Sequence, residues 1–131
     1  MGKFAFRKEE RLRKEKVIQE LFDKGSSFYL FPFKVYYTPN PDQSCPFHQV
    51  LISASKRNFK KAVDRNLIKR RLREAYRLQK ALIPATPKIL LGFVYTHKEI
   101  ILFDEMKKRM NQVLVKLAKM PLYIEAPSKG E

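Results

Sequence analysis

A single cysteine, Cys45, stands among the 131 residues, which excludes an internal disulfide and a cysteine zinc cluster. It lies in the polar stretch Pro41-Asp42-Gln43-Ser44-Cys45-Pro46 and reads as an ordinary loop thiol. No apolar run is long enough to cross a bilayer. Residues 1–16 are basic but lack the apolar stretch and small-residue cleavage site of a signal peptide, so a cytoplasmic location is expected. There is no Gly-rich phosphate loop and no zinc-ligand spacing. Asp23, Asp42, Asp64 and Asp104 each stand alone in a different segment, unlike the clustered acids of a two-metal nuclease. His48 and His97 are the only histidines. They are far apart, have no carboxylates placed for acid–base work, and read as strand-end surface residues. No catalytic residue and no metal site is assigned to the chain.

What the chain has in excess is positive charge: 28 Lys and Arg against 13 acidic residues, a net charge of +15 and a pI near 10.1. Such a field attracts polyanions, which leaves nucleic acid or an anionic membrane surface as partner and favours nucleic acid. Hydrophobic residues make up 44%, enough for a packed core and too many for a disordered basic tail. The length suits one domain with a modest core. Residues 1–120 are expected to form that single domain, and 121–131, after Pro121, a flexible tail.

The periodicities define the elements. Glu10 to Lys24 reads as a helix, with Val17, Ile18, Leu21 and Phe22 at helical spacing and Gly25 as its stop. Ser26 to Thr38 alternates as a strand, with Val35 turned inward and Tyr36 outward. Pro39-Asn40-Pro41-Asp42 is a connector. His48 to Ser55 reads as a second strand, and 56–61 as a basic loop. A long helix follows from about Ala62 to Leu82, with Pro84 and Pro87 beyond it. Ile89 to Thr96 has the two-sided apolar character of a central strand. Asp104 to Lys119 closes the pattern as a helix that Asp104 can cap, with a core stripe of Met106, Met110, Val113, Leu114 and Leu117. The order is helix, two or three strands, long helix, strand, helix, and the class is α+β, with helices on a small mixed sheet.

The long helix carries the chemistry. Eleven basic residues lie between Lys56 and Lys80, opposed only by Asp64 and Glu74. At about 100° per residue, Arg65, Asn66, Lys69, Arg70, Arg73 and Arg77 fall within a sector roughly 140° wide. Ile68, Leu72, Ala75 and Tyr76 fall in a neighbouring sector that can pack on the sheet. The i,i+4 spacings in the basic sector pair like charges, so it costs self-repulsion that a phosphate backbone offsets by counterion release. Arginine adds a planar fork for phosphate oxygens, and Asn66 adds a donor and an acceptor. Asp64 suits the helix N-terminus, and Glu74 can pair with Arg70 or Arg71.

The run Ala62-Val63-Asp64-Arg65-Asn66-Leu67-Ile68-Lys69-Arg70-Arg71-Leu72-Arg73-Glu74-Ala75-Tyr76-Arg77 resembles the signature of the bacterial ribonuclease P protein, approximately A-V-x-R-N-R-x-K-R-x-x-R-E-x-[FY]-R. Arg11-Leu12-Arg13-Lys14 through Phe22-Asp23-Lys24-Gly25 is similar to that family's first helix and its glycine. Ser53-Ala54-Ser55-Lys56-Arg57 is similar to its S-V-S-K-K strand end. The resemblance spans about residues 7–118. It departs at Leu67, where the family has Arg, so that one usual RNA contact is either missing or supplied by neighbouring Arg71. It departs again at Lys60-Lys61, where the family has Gly-Asn, and at Ile18, where the family's first helix often has an aromatic.

The resemblance implies an α-β-β-β-α-β-α order with a left-handed βαβ crossover (ribosomal protein S5 domain 2-like). It implies the protein subunit of an endoribonuclease, not catalytic alone, whose RNA partner removes the 5′ leader of precursor tRNA. The partners implied are ribonuclease P RNA and that leader, with no membrane and no DNA. No cofactor is expected on the protein, magnesium entering through the RNA. Carried over, the RNA-binding candidates are Lys56, Arg57, Lys60, Lys61, Arg65, Asn66, Lys69, Arg70, Arg73 and Arg77. The leader-binding cleft would take Ile18, Phe22 and Tyr36. A structural ribosomal RNA-binding protein is the alternative. A DNA-binding regulator is a weaker one, because strand and loop precede the basic helix where a short helix and turn would be needed.

Overall fold

In the computed structural model, which describes residues 8–120, the elements follow the expected order: α1 (Glu15–Lys24), β1 (Ser26–Leu30), β2 (Phe33–Pro39), β3 (Gln49–Ala54), α2 (Ala62–Gln79), β4 (Ile89–Tyr95) and α3 (Phe103–Ala118). Short 3-10 turns cover Lys8–Glu10 and Lys80–Leu82. The expected tail, 121–131, lies outside the described residues.

The strands form one sheet in the order β1-β2-β4-β3, with β4 antiparallel to β2 and parallel to β3. The run expected as one strand over Ser26–Thr38 is a hairpin, in which Leu30 pairs Phe33 around Phe31-Pro32. Proline has no N–H for a ladder, and the Pro32 carbonyl instead accepts from the Thr96 N–H at 3.0 Å. The apolar alternation is similar on both sides of the turn, which is why the break escaped the pattern. Central β4 is buried on both faces, as its composition predicted.

The two faces carry different layers. Phe33, Val35, Val50, Leu91 and Phe93 join the main core with Ile68, Leu72, Ala75 and Tyr76 of α2 and the Met106–Leu117 stripe of α3. The alternate residues Tyr36, Leu51 and Leu90 join a smaller core with Leu12, Val17, Ile18 and Leu21. Because successive side chains of a strand point to opposite faces, α1 covers one face while α2 and α3 cover the other. The ends of α1 suit its dipole, with Glu15 in the first turn and Lys24 in the last. It stops at Gly25, where an added Cβ would lie 2.5 Å from the Leu21 carbonyl oxygen.

Two boundaries differ from expectation. Helix α1 begins at Glu15 rather than Glu10, because residues 11–14 run extended along the edge of the sheet. Arg11 bridges Val50 in parallel, and the Leu12 N–H donates to the Val50 carbonyl at 3.0 Å. This arm covers β3, an edge strand whose open N–H and C=O groups would otherwise invite pairing. Asp104 does not cap α3. The N-cap is Leu102, which makes no side-chain capping bond, and Asp104 sits in the first turn, where its charge still suits the helix dipole.

Candidate nucleic-acid interface

On α2, Asn66 and Arg70 are exposed, while Arg65, Lys69, Arg73 and Arg77 are half-buried. Arg65 borders the apolar sector, and its Nη1 donates to the carbonyls of Phe59 at 2.8 Å and Lys60 at 3.1 Å. It thereby ties the helix to the preceding loop. That loop is also held by Ser55, whose Oγ accepts from the Arg57 N–H at 3.1 Å, and by buried Phe59. Lys56, Arg57, Lys60 and Lys61 are all exposed on it. Among the described residues no carboxylate lies within salt-bridge distance of Arg65, Lys69, Arg70 or Arg73.

Arg77 is the exception. Its Nε donates to Glu74 Oε1 at 3.0 Å, which raises the arginine's pKa and lowers the carboxylate's. Glu74 was expected to pair with Arg70 or Arg71. It pairs with Arg77, because Arg70 points to solvent and Arg71 Nη1 is drawn 2.6 Å from the Ile101 carbonyl before α3. Arg71 therefore turns away from the basic face and does not stand in for Leu67, itself half-buried.

Two arginines that periodicity did not mark as interface residues join this surface. Arg11 and Arg13 flank buried Leu12 in the extended arm and, with Arg73 of α2, line a recess of about 190 Å³ floored by Val50, Leu51 and Ile52. Burial, and then the Arg11 guanidinium, push Arg73 below the usual arginine range. The Arg-Leu-Arg alternation is a strand signal, hidden by reading the segment as helix.

Across the sheet, Ile18, Phe22 and Tyr36 come together where α1 packs on β2 and β4. Ile18 is half-buried against Leu21 and Leu90. Phe22 remains 36% exposed and meets Tyr36 edge-on, with ring centroids 4.7 Å apart. Lys34 Nζ lies 5.3 Å from the Tyr36 ring centroid. Val35 is fully buried in the opposite core, so the pleat is regular and Tyr36 faces α1.

Neither histidine joins the basic face. His48 is half-buried just before β3: Nδ1 accepts from the Ile89 N–H at 3.0 Å, and Nε2 lies 2.7 Å from the Pro84 carbonyl. It clasps the segment that leads into β4. His97 is half-buried with its ring 4.7 Å from that of Phe31.

The model of the Ribonuclease P family matches residues 6–118. The chain belongs to that family. It is 30% identical over 120 residues to a ribonuclease P protein component of Porphyromonas gingivalis, covering 88% of each chain. It is likewise 30% identical to one from a Geobacillus species, covering 84% of this chain and 91% of the relative. The Staphylococcus aureus RNase P protein superposes with a TM-score of 0.68 at 25% identity, over 84% of this chain and 95% of that one. The Thermotoga maritima RNase P protein shares the fold, with a TM-score of 0.69 over 82% and 96% of the two chains. Small mixed-sheet α+β architecture is thus common to this chain and the solved members of its family.

Proposed function

We propose that this chain is the protein subunit of ribonuclease P, binding the catalytic RNA through the basic side of α2 and the 5′ leader of precursor tRNA through the α1 cleft. The observation that carries the reading is the set of cations on α2 that no described carboxylate neutralises. Assembling them costs repulsion, which a bound phosphate backbone removes. Exposed Arg70 and the loop residues Lys56, Arg57, Lys60 and Lys61 supply charge. Arg65 supplies order, because its carbonyl bonds hold that loop against the helix. Asn66 offers both hydrogen-bonding senses to a ribose or base edge.

The cleft suits a single strand. Phe22 and Tyr36 offer aromatic faces that stack bases of any sequence, and Lys34 brings a cation beside them for the backbone. Ile18 contributes apolar surface without stacking. In this reading the RNA carries the chemistry and magnesium enters with it, while the protein lowers the electrostatic cost of bringing two polyanions together. The setting is cytoplasmic.

The test is reconstitution. Adding the chain to ribonuclease P RNA and precursor tRNA at low magnesium should increase 5′ cleavage, and the gain should shrink when the leader is removed. No gain with either substrate sinks the proposal. Co-purification with ribosomal subunits instead of a separate RNA would favour a ribosomal role.

A further inference from the structure

Glu10 is 2% exposed, and both of its carboxylate oxygens accept from Lys80 Nζ at 2.9 Å. Burying two charges costs desolvation that their attraction does little more than offset, so such a pair is better suited to fixing a register than to adding stability. The register fixed here is that of the N-terminal arm. Lys80 follows α2, Glu10 precedes the extended stretch along β3, and the pair joins positions 70 residues apart. Next along the arm, Leu12 is buried and its N–H is bonded to Val50. Strand alternation then places Arg11 and Arg13 on the other side of the arm. There they line the recess with Arg73. The floor is the edge of β3: the Val50 carbonyl points to the arm, and the strand's period turns the Ile52 main-chain amide the same way.

We propose that the Glu10–Lys80 pair is a positioning device that draws Arg11 and Arg13 into the RNA interface beside Arg73, where the three guanidiniums share a backbone phosphate. The proposal rests on the RNA-binding reading above. Repulsion between the arm and α2 would drive the arm away, and the buried pair opposes it until a phosphate removes the repulsion.

The experiment uses the full chain and measures affinity for ribonuclease P RNA over a range of salt, without and with leader-bearing precursor. Arg11→Ala should weaken binding about tenfold and lower the slope of log affinity against log salt by about one. Lys80→Ala should lower the slope by about two, as both arm arginines leave. Adding Arg11→Ala to Lys80→Ala should then cost nothing further, and the exchange Glu10→Lys with Lys80→Glu should restore binding. Amide exchange at Leu12 should quicken in Lys80→Ala, or in Lys80→Gln should the alanine variant not fold, while Leu91 in the core keeps its protection. A merely stabilising pair would instead raise exchange at both sites. Losses seen with RNA alone assign the phosphate to the catalytic RNA, and losses seen only with precursor assign it to the leader. Full additivity of Arg11→Ala and Lys80→Ala overturns the proposal. If Arg70→Ala weakens binding while Arg11→Ala does not, this proposal alone fails. If neither does, the RNA-binding reading beneath it fails as well.

Discussion

Phe22 on α1 sets its ring at 83° to that of Tyr36 on β2, at a centroid distance of 4.7 Å. The contact leaves Phe22 partly open, so aromatic surface of the pair stays accessible beside α1. Tyr36→Ala should weaken binding of leader-bearing precursor to the holoenzyme by about 1–3 kcal/mol, the worth of one stacked base. Precursor lacking a leader should bind the variant as it binds the parent. Equal losses with both substrates would place Tyr36 outside the leader path.

Gly92 of β4 lies beneath the same aromatic pair. A Cβ there would meet Leu21 Cδ2 at 3.2 Å, Tyr36 Cβ at 3.6 Å and Phe22 Cε1 at 3.8 Å. A larger side chain therefore crowds Leu21 and Phe22 of α1. Gly92→Val should destabilise the fold by about 1–3 kcal/mol, the usual cost of overpacking, and should reduce leader-dependent binding more than RNA binding. Denaturant unfolding and the two affinities check this. Unaltered stability would mean that α1 has slack the packing does not show.

His48 gives the fold a pH dependence. Burial, more than any other cause, holds its imidazole below the ordinary 6.5. Lys88 adds to the effect, while the Pro84 carbonyl and Glu10 oppose it. The folded state thus prefers neutral His48, whose Nδ1 accepts the Ile89 N–H. A depressed pKa contributes stability that is fully present above 6.5 and lost as pH falls through the folded value. Thermal unfolding of the parent should show Tm declining below pH 6.5. His48→Asn, which keeps an acceptor but cannot titrate there, should decline less over the same range. Parallel declines would show that other groups govern the dependence.

Legibility followed the range of the interactions. The face of α2 and the two-sided character of β4 are periodic within one element, so spacing alone revealed them. The Ser26–Thr38 hairpin was hidden because its apolar pattern runs on past Pro32. The start of α1 was hidden because Arg11-Leu12-Arg13 obeys a strand period only once β3 lies beside it. No spacing could pair Glu10 with Lys80, or turn Arg71 towards the Ile101 carbonyl, since those contacts exist only after the chain closes. The cleft residues came from resemblance and the pleat at Val35-Tyr36 rather than from any local chemical signal.

Arg65 and Arg70 are both cations of the α2 face, but they should fail differently. Arg70 is exposed and binds no described carboxylate, so Arg70→Ala removes charge and little else. It should lower the salt slope of RNA binding by about one and leave Tm within the small range usual for surface changes. Arg65 uses one guanidinium nitrogen to hold the Phe59 and Lys60 carbonyls. Its loss frees the loop that carries Lys56, Arg57, Lys60 and Lys61. Arg65→Ala should therefore cost stability of about 1–3 kcal/mol as well as affinity. Arg65→Lys keeps the charge without the planar fork, so it should recover the salt slope but not the stability. Calorimetry and salt titration on the three variants separate the two roles. If Arg65→Lys matches the parent in both, the carbonyl bonds do not order the loop, and Arg65 acts as a simple charge like Arg70.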